Sequence, residues 1–270
     1  SAILSGEIDT LWNHVTADYE RKRRLEKAVT DLQGRFGLKA IGRSAGAPAP
    51  AVIPTGFPAL DTALGIGGLP HGRISEIVGV PTAGAATLAL KTIAEAQASR
   101  GAAVIIDMSR TFDPDYAQRC GVDLRRLMII YPYTVQQAIT MLPDFIADSG
   151  LDLLVFDMPL HPALEPERRQ QLSSTLGRLL APLSRSNAVL LFITSLSPDS
   201  EPVESYPRAL ALPHYASLRL LVRRARWLHQ RQDVRGYEAD VLILKHKLGK
   251  AGGETRIAIT FDGVVKGDAV

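Results

Sequence analysis

Apolar and polar positions follow two different periods along this chain. Over residues 8–36 the period is helical, with Ile8, Leu11, Trp12, Val15 and Tyr19 on one stripe and Leu25, Ala28, Val29, Leu32 and Phe36 continuing it. The charged run Glu-Arg-Lys-Arg-Arg at 20–24 lies between the two halves and reads as a solvated helix face. Gly34 and Gly37 predict the helix end, and Ala-Gly-Ala-Pro-Ala-Pro at 45–50 reads as a linker. Beyond it, continuous apolar runs of strand length occur at 74–78, 102–106, 127–130, 151–156 and 188–194. They alternate with stretches that predict helices at 88–98, 134–148 and 167–183, with shorter helices at 59–64 and 116–120. Strands that are apolar on both faces and separated by helices predict an α/β fold with a mainly parallel sheet. Residues 218–228 and 237–244 follow one another with no helix between them. They predict an antiparallel pair at the sheet edge, with one more hairpin around 256–261. The organisation expected is an N-terminal helix and linker at 1–47, for oligomerisation or docking, and a core at 48–270.

One loop carries candidate chemistry. Residues 79–87, Gly-Val-Pro-Thr-Ala-Gly-Ala-Ala-Thr, join a predicted strand to a predicted helix and keep the G-x-x-x-x-G spacing of a phosphate-binding loop. Where that motif needs a lysine for the β- and γ-phosphates stands Ala85, and where it needs a magnesium-binding hydroxyl stands Ala86. Thr82, Gly84 and Thr87 keep backbone amides at a helix start, which is a generic anion site.

Bulk properties narrow the picture only slightly. The 270 residues carry a net charge of +3, with 46% hydrophobic and 22% charged residues, so any basic site must be local. A single cysteine, Cys120, excludes a disulfide framework and suits a reducing compartment as a core thiol. No apolar run spans a bilayer and no signal peptide opens the chain, so a cytoplasmic location with no membrane partner is expected. His161, His214, His229 and His246 lack metal-ligand spacing, so no metal is expected, and Ser184 and Ser195 lack a nucleophile elbow.

The order of motifs resembles the core of the RecA recombinase family. The residues that carry it are IPTGFPALDTALGIGGLPHGRISEIVG at 53–79, IIDMSRTFDPDYAQRCGVDL at 105–124, DLLVFD at 152–157, LLFITS at 190–195, HYASLRL at 214–220 and LKHKLG at 244–249. The helix ending in GRFG at 34–37 is similar to the one RecA packs on a neighbouring subunit. The resemblance covers roughly residues 25–265 and implies a RecA-like P-loop core without RecA's C-terminal domain. It implies that Asp157 stands at the Walker B position, that Asp113 and Tyr116 match residues at the adenine, and that Lys245 and Lys247 match a pair reaching phosphates across a subunit interface. It also marks departures. The water-activating glutamate is Ser109, and the glutamine that senses the γ-phosphate is Ser195.

These replacements lead to the expectation of a chain that is not an enzyme, a pseudo-ATPase with no cofactor and at most weak residual nucleotide binding. The first DNA loop of RecA is here MPLHPALEPE (158–167), and the second is the proline-rich, glycine-free LSPDSEPVESYPRALALP (196–213). The alternative DNA surface is Arg219, Arg223, Arg224, Arg226 and Trp227, continued by Arg231 and Arg235, where cations beside an aromatic suit single-stranded DNA; a solvated edge strand is the competing reading. The leading expectation is an accessory protein similar to the ImuA type of bacterial translesion mutagenesis. It would act by protein–protein contacts with a polymerase-like component or RecA, and self-associate through Leu11, Trp12, Val15, Leu25, Val29, Leu32 and Phe36. A single-stranded DNA-binding RecA paralogue without ATP hydrolysis and a SulA-type division inhibitor are the alternatives.

Overall fold

The computed structural model describes residues 2–37, 50–147, 150–158, 166–195, 212–261 and 263–267. The predicted linker at 45–50 (except Pro50), most of both predicted DNA loops and His161 lie outside the described residues. The chain divides into two compact units, Ser1–Pro48 and Ala49–Val270.

The described residues of the first unit form the helix α1 (Ala2–Phe36), which runs through the charged 20–24 segment and through Gly34. Gly37, at φ +90°, ends it with a bond from its amide to the Gln33 carbonyl. The side chains of Leu11, Trp12 and Val15 lie outside the described ones. Those of Tyr19, Leu25, Leu32 and Phe36 are exposed within this unit.

The second unit begins with β1 (Val52–Ile53), α2 (Pro58–Leu64) and β2 (Leu69–Pro70). The 53–73 segment predicted only loops around a helix. In fact β1 and β2 pair as a two-stranded sheet, with two residues each, too short for periodicity to reveal. There follow β3 (Ile74–Gly79), α3 (Ala85–Ala98), β4 (Ala103–Asp107), α4 (Pro114–Arg119), β5 (Leu127–Ile130), α5 (Val135–Ala147) and β6 (Leu153–Met158). Next come α6 (Pro166–Arg185), β7 (Val189–Ser195), the single turn α7 (Leu212–Tyr215), β8 (Leu218–Gln230), β9 (Asp233–His246), β10 (Glu254–Phe261) and β11 (Val265–Gly267).

Nine strands form one sheet in the order β11-β10-β9-β8-β3-β7-β6-β4-β5. The pairs from β8 through β3 to β5 are parallel, and those from β8 to β11 are antiparallel. This is the α/β architecture the apolar runs predict. Two cores lie on the two faces, and the strands divide their side chains between them at a period of two. Leu153, Val155, Leu191 and Ile193 join α3 and the antiparallel strands in one core. Leu154, Phe156, Leu190 and Phe192 join α5 and α6 in the other.

The antiparallel strands are longer than their hydrophobic stretches predict. β8 pairs with β3 only through Leu218–Val222 and then continues with β9 alone to Gln230. Its outer half is polar and exposed, a pattern that marks a strand without a second neighbour.

Candidate functional site

β3 sits in the middle of the sheet and delivers the 79–87 loop into α3, as the motif requires. Gly84 forms the start of α3 at φ +109°, in the left-handed region. A side chain there would also collide with Tyr237, since a Cβ would lie 3.0 Å from its Oη. Thr82 has φ +65°, which is unusual for a β-branched residue and places local strain in the loop.

The loop borders a cleft of about 640 Å³. Its floor is the loop and the first turn of α3, with Ala85, Ala86 and Thr87. One wall comes from the strand ends, with Ser109 after β4, Asp157 of β6 and Ser195 of β7. A further part of the lining is aromatic, with Trp227, Tyr237 and Phe261. Trp227 meets Tyr237 edge-on at 5.8 Å between ring centres, and Tyr237 lies 5.8 Å from Phe261. A smaller adjoining cavity of about 80 Å³ is lined by Asp113 and Tyr116 as well as Ala86 and Asp157.

Polar groups at the strand ends form one network. Ser109 Oγ lies 2.7 Å from Asp107 Oδ1 and 2.5 Å from Thr111 Oγ1. Asp107 also accepts the amides of Arg110 and Phe112. Burial pushes the Asp157 carboxyl above the usual range; the Ser109 hydrogen bond pulls it back and the Asp107 charge adds to the rise. Thr87 Oγ1 and Tyr116 Oη share a bond of 2.7 Å, which ties α3 to α4. Burial raises the Tyr116 phenol above its ordinary value, and pushes the buried Cys120 thiol up to about 11.

The structure therefore brings Thr82, Gly84, Thr87, Tyr116, Asp157 and the replaced positions Ala85, Ala86, Ser109 and Ser195 to one cleft. Asp113 borders the smaller cavity and caps α4 by accepting the Tyr116 amide at 3.0 Å. Lys245 and Lys247 are elsewhere. Lys245 donates to the carbonyls of Pro213 and His214 at 2.6 and 3.1 Å, while Lys247 is exposed. Burial, with Lys247 and Arg219 nearby, lowers the Lys245 pKa.

The basic strand does not act as a unit. Arg219 is no surface residue, with a side chain only 12% exposed and its Nε donating to Glu76 Oε2 at 2.7 Å. Its place in the predicted DNA strip is corrected accordingly, because it lies where β8 is still covered by β3. Glu76 is fully buried and also accepts from Thr194 at 2.9 Å. Burial pushes its carboxyl up, against the pull of Arg219 and Thr194. Arg226 pairs with Glu238 through two bonds of 2.8 Å. Arg224 turns toward the cleft, where its Nη1 donates to Thr82 Oγ1 at 3.3 Å and its guanidinium lies 4.5 Å over Trp227. Periodicity had no means of showing this convergence, since 142 residues separate Arg224 from Thr82.

A central parallel strand that delivers a G-x-x-x-x-G loop into a helix, in the same sheet as strands with acidic ends at Asp107 and Asp157, defines the P-loop class of α/β core. Within it, the description "RecA N-terminal domain" matches residues 23–266. The chain belongs to the RecA family. Curated relatives named Protein RecA include that of Brucella anthropi, 36% identical over 249 residues, covering 85% of this chain and 69% of the relative. That of Aquifex aeolicus is 34% identical over 266 residues, covering 92% and 77%, and that of Nocardia farcinica is 36% identical over 249 residues, covering 85% and 72%.

These relatives overturn the expectation that the chain is not an enzyme. Proteins named RecA at 33–36% identity across most of its length conflict with a pseudo-ATPase, since the resemblance that supplied the expectation takes RecA itself as an ATPase. The expectation rested on the replaced positions Ala85, Ala86, Ser109 and Ser195, and it placed Arg224 on the DNA surface, whereas the structure puts that residue at the cleft. Among the described residues, no helix is long and apolar enough to cross a membrane, and no group of three or more His, Cys, Asp or Glu gathers as for a metal ion.

Proposed function

We propose that this RecA-family chain is a cytoplasmic accessory protein of the DNA damage response that works through protein–protein contacts, in the manner of ImuA-type proteins in mutagenic translesion synthesis. The observation that carries this reading is the apolar stripe on α1. Leu25 (65% exposed), Leu32 (40%) and Phe36 (70%) recur at intervals of seven and four residues on a charged helix. Leaving such a stripe in water forfeits the burial that normally stabilises an amphipathic helix, so a protein surface is its natural cover. The core unit of the same chain, a second copy, RecA or a polymerase-like protein would each supply one, and the accessory role takes the cover from another molecule.

The test is genetic and physical together. Deleting the gene should lower the frequency of mutations induced by ultraviolet light several-fold, and Leu25→Glu/Leu32→Glu should fail to restore it while accumulating to normal levels. Light scattering of the same purified variant should give a smaller assembly than the unaltered chain. An unchanged induced mutation frequency in the deletion strain would refute the reading.

A further inference from the structure

The cleft combines three features that a phosphate ligand needs and that no single segment of the chain provides. The first is room, since about 640 Å³ lies within the range of small-molecule sites. The second is a fixed positive charge. Arg224 is the one cation among the described residues lining the cleft, and it is held from two sides, by Thr82 Oγ1 at 3.3 Å and by the Trp227 ring at 4.5 Å. The Thr82 bond uses one of the five N–H donors of a guanidinium, whose planar fork suits a phosphate in bidentate geometry. The third is a surface for a ring, because Trp227 is 45% exposed and lines the same cleft. The strained backbone at Thr82 is accounted for on this view, since the left-handed residue is the one whose hydroxyl engages the arginine.

We propose that Arg224 supplies the phosphate-binding charge of this cleft, in place of a lysine in the 79–87 loop, and that the ligand is a nucleoside oligophosphate. Arg224 thereby leaves the group of residues available to single-stranded DNA. The inference stands on the geometry of the cleft and is independent of the accessory role proposed above.

Calorimetry on the full chain with magnesium tests it, using ATP, ADP, inorganic tripolyphosphate and an oligo-dT strand as separate probes. Loss of a charge-assisted bond should weaken ATP binding by about tenfold to a hundredfold in Arg224→Ala, with Arg224→Lys between the two. Arg223→Ala, which removes an exposed cation that does not line the cleft, should change ATP affinity by no more than about twofold, whatever it does to oligo-dT. Thermal melts of each variant should match the unaltered chain, because Arg224 is exposed. ATP binding more tightly than tripolyphosphate supports a nucleoside ligand, and equal affinities overturn that part. The proposal as a whole is overturned if Arg224→Ala binds ATP as the unaltered chain does, if the unaltered chain binds none of the three small anions, or if Arg224→Ala loses only the oligo-dT.

Discussion

Ser109 Oγ lies 2.9 Å from Asp157 Oδ2 and joins the ends of two neighbouring strands. The same hydroxyl is 2.7 Å from Asp107, yet it has only one hydrogen to donate. A proton on Asp157 would complete the network, and the raised carboxyl is in keeping with that. A carboxyl whose folded value is raised stabilises the fold fully below its unfolded value. That contribution is lost as pH rises through the folded value. Asp157→Asn, which cannot ionise, should therefore be more stable than the unaltered chain at pH 8, by about 1 kcal/mol, and no more stable near pH 4. Urea unfolding at the two pH values checks this, and an equal gain at both would refute it.

The Glu76–Arg219 pair should behave in the opposite sense to a surface ion pair. Arg219→Leu strands a buried carboxylate and should cost about 3–5 kcal/mol in urea unfolding at neutral pH. Adding Glu76→Gln to that variant should restore part of the loss. The single variant should also gain stability relative to the unaltered chain on acidification, because an unpaired buried carboxyl titrates still higher. A loss below about 1 kcal/mol, the surface-pair range, would show that the pair is not buried as described.

Gly84→Ala should destabilise the core unit for two separable reasons. The left-handed φ of +109° disfavours any side chain, and the new Cβ would lie 3.0 Å from Tyr237 Oη and 3.1 Å from Ile259 Cδ1. A cost of about 1–3 kcal/mol is expected, or several degrees in Tm by calorimetry. Tyr237→Phe in the same chain should return the part due to the hydroxyl and leave the part due to φ.

If single-stranded DNA binds along β8, Arg223 is the residue to test first. It is exposed, whereas Arg226 is held by Glu238 and Arg219 is buried with Glu76. Arg223→Ala should reduce the slope of log affinity against log salt by about 0.7 in anisotropy titrations, and Arg226→Ala by less. Equal slopes for both variants and the unaltered chain would remove β8 as a DNA surface.

The parallel half of the sheet was legible in the chain because its signals are local. The apolar runs at 127–130 and 188–194 recur as β5 and as β7 with a one-residue shift, and the glycines of the 79–87 loop fix its strand-to-helix context. Harder to read were features made by contacts across the sequence. β1 and β2 are too short to have a period, and the polar outer half of β8 pairs through its backbone rather than by hydrophobic pattern. Arg219 and Arg224 are five residues apart on one strand, and nothing in their spacing separates the buried one from the one at the cleft. Their fates depend on where β3 ends beside them.

The mixed pairing of β8 also has a consequence in time. Its hydrogen bonds to β9 close across a short turn, with Gln230 opposite Asp233, so the hairpin is a local event. Its bonds to β3 must bring together residues 143 apart, as the Arg219–Glu76 contact shows. Arg224 and Trp227 thus travel on a piece that can form early, while the loop they face belongs to another piece. The cleft closes only when the two dock, and any opening that peels β8 from β3 abolishes it while both halves of the sheet persist.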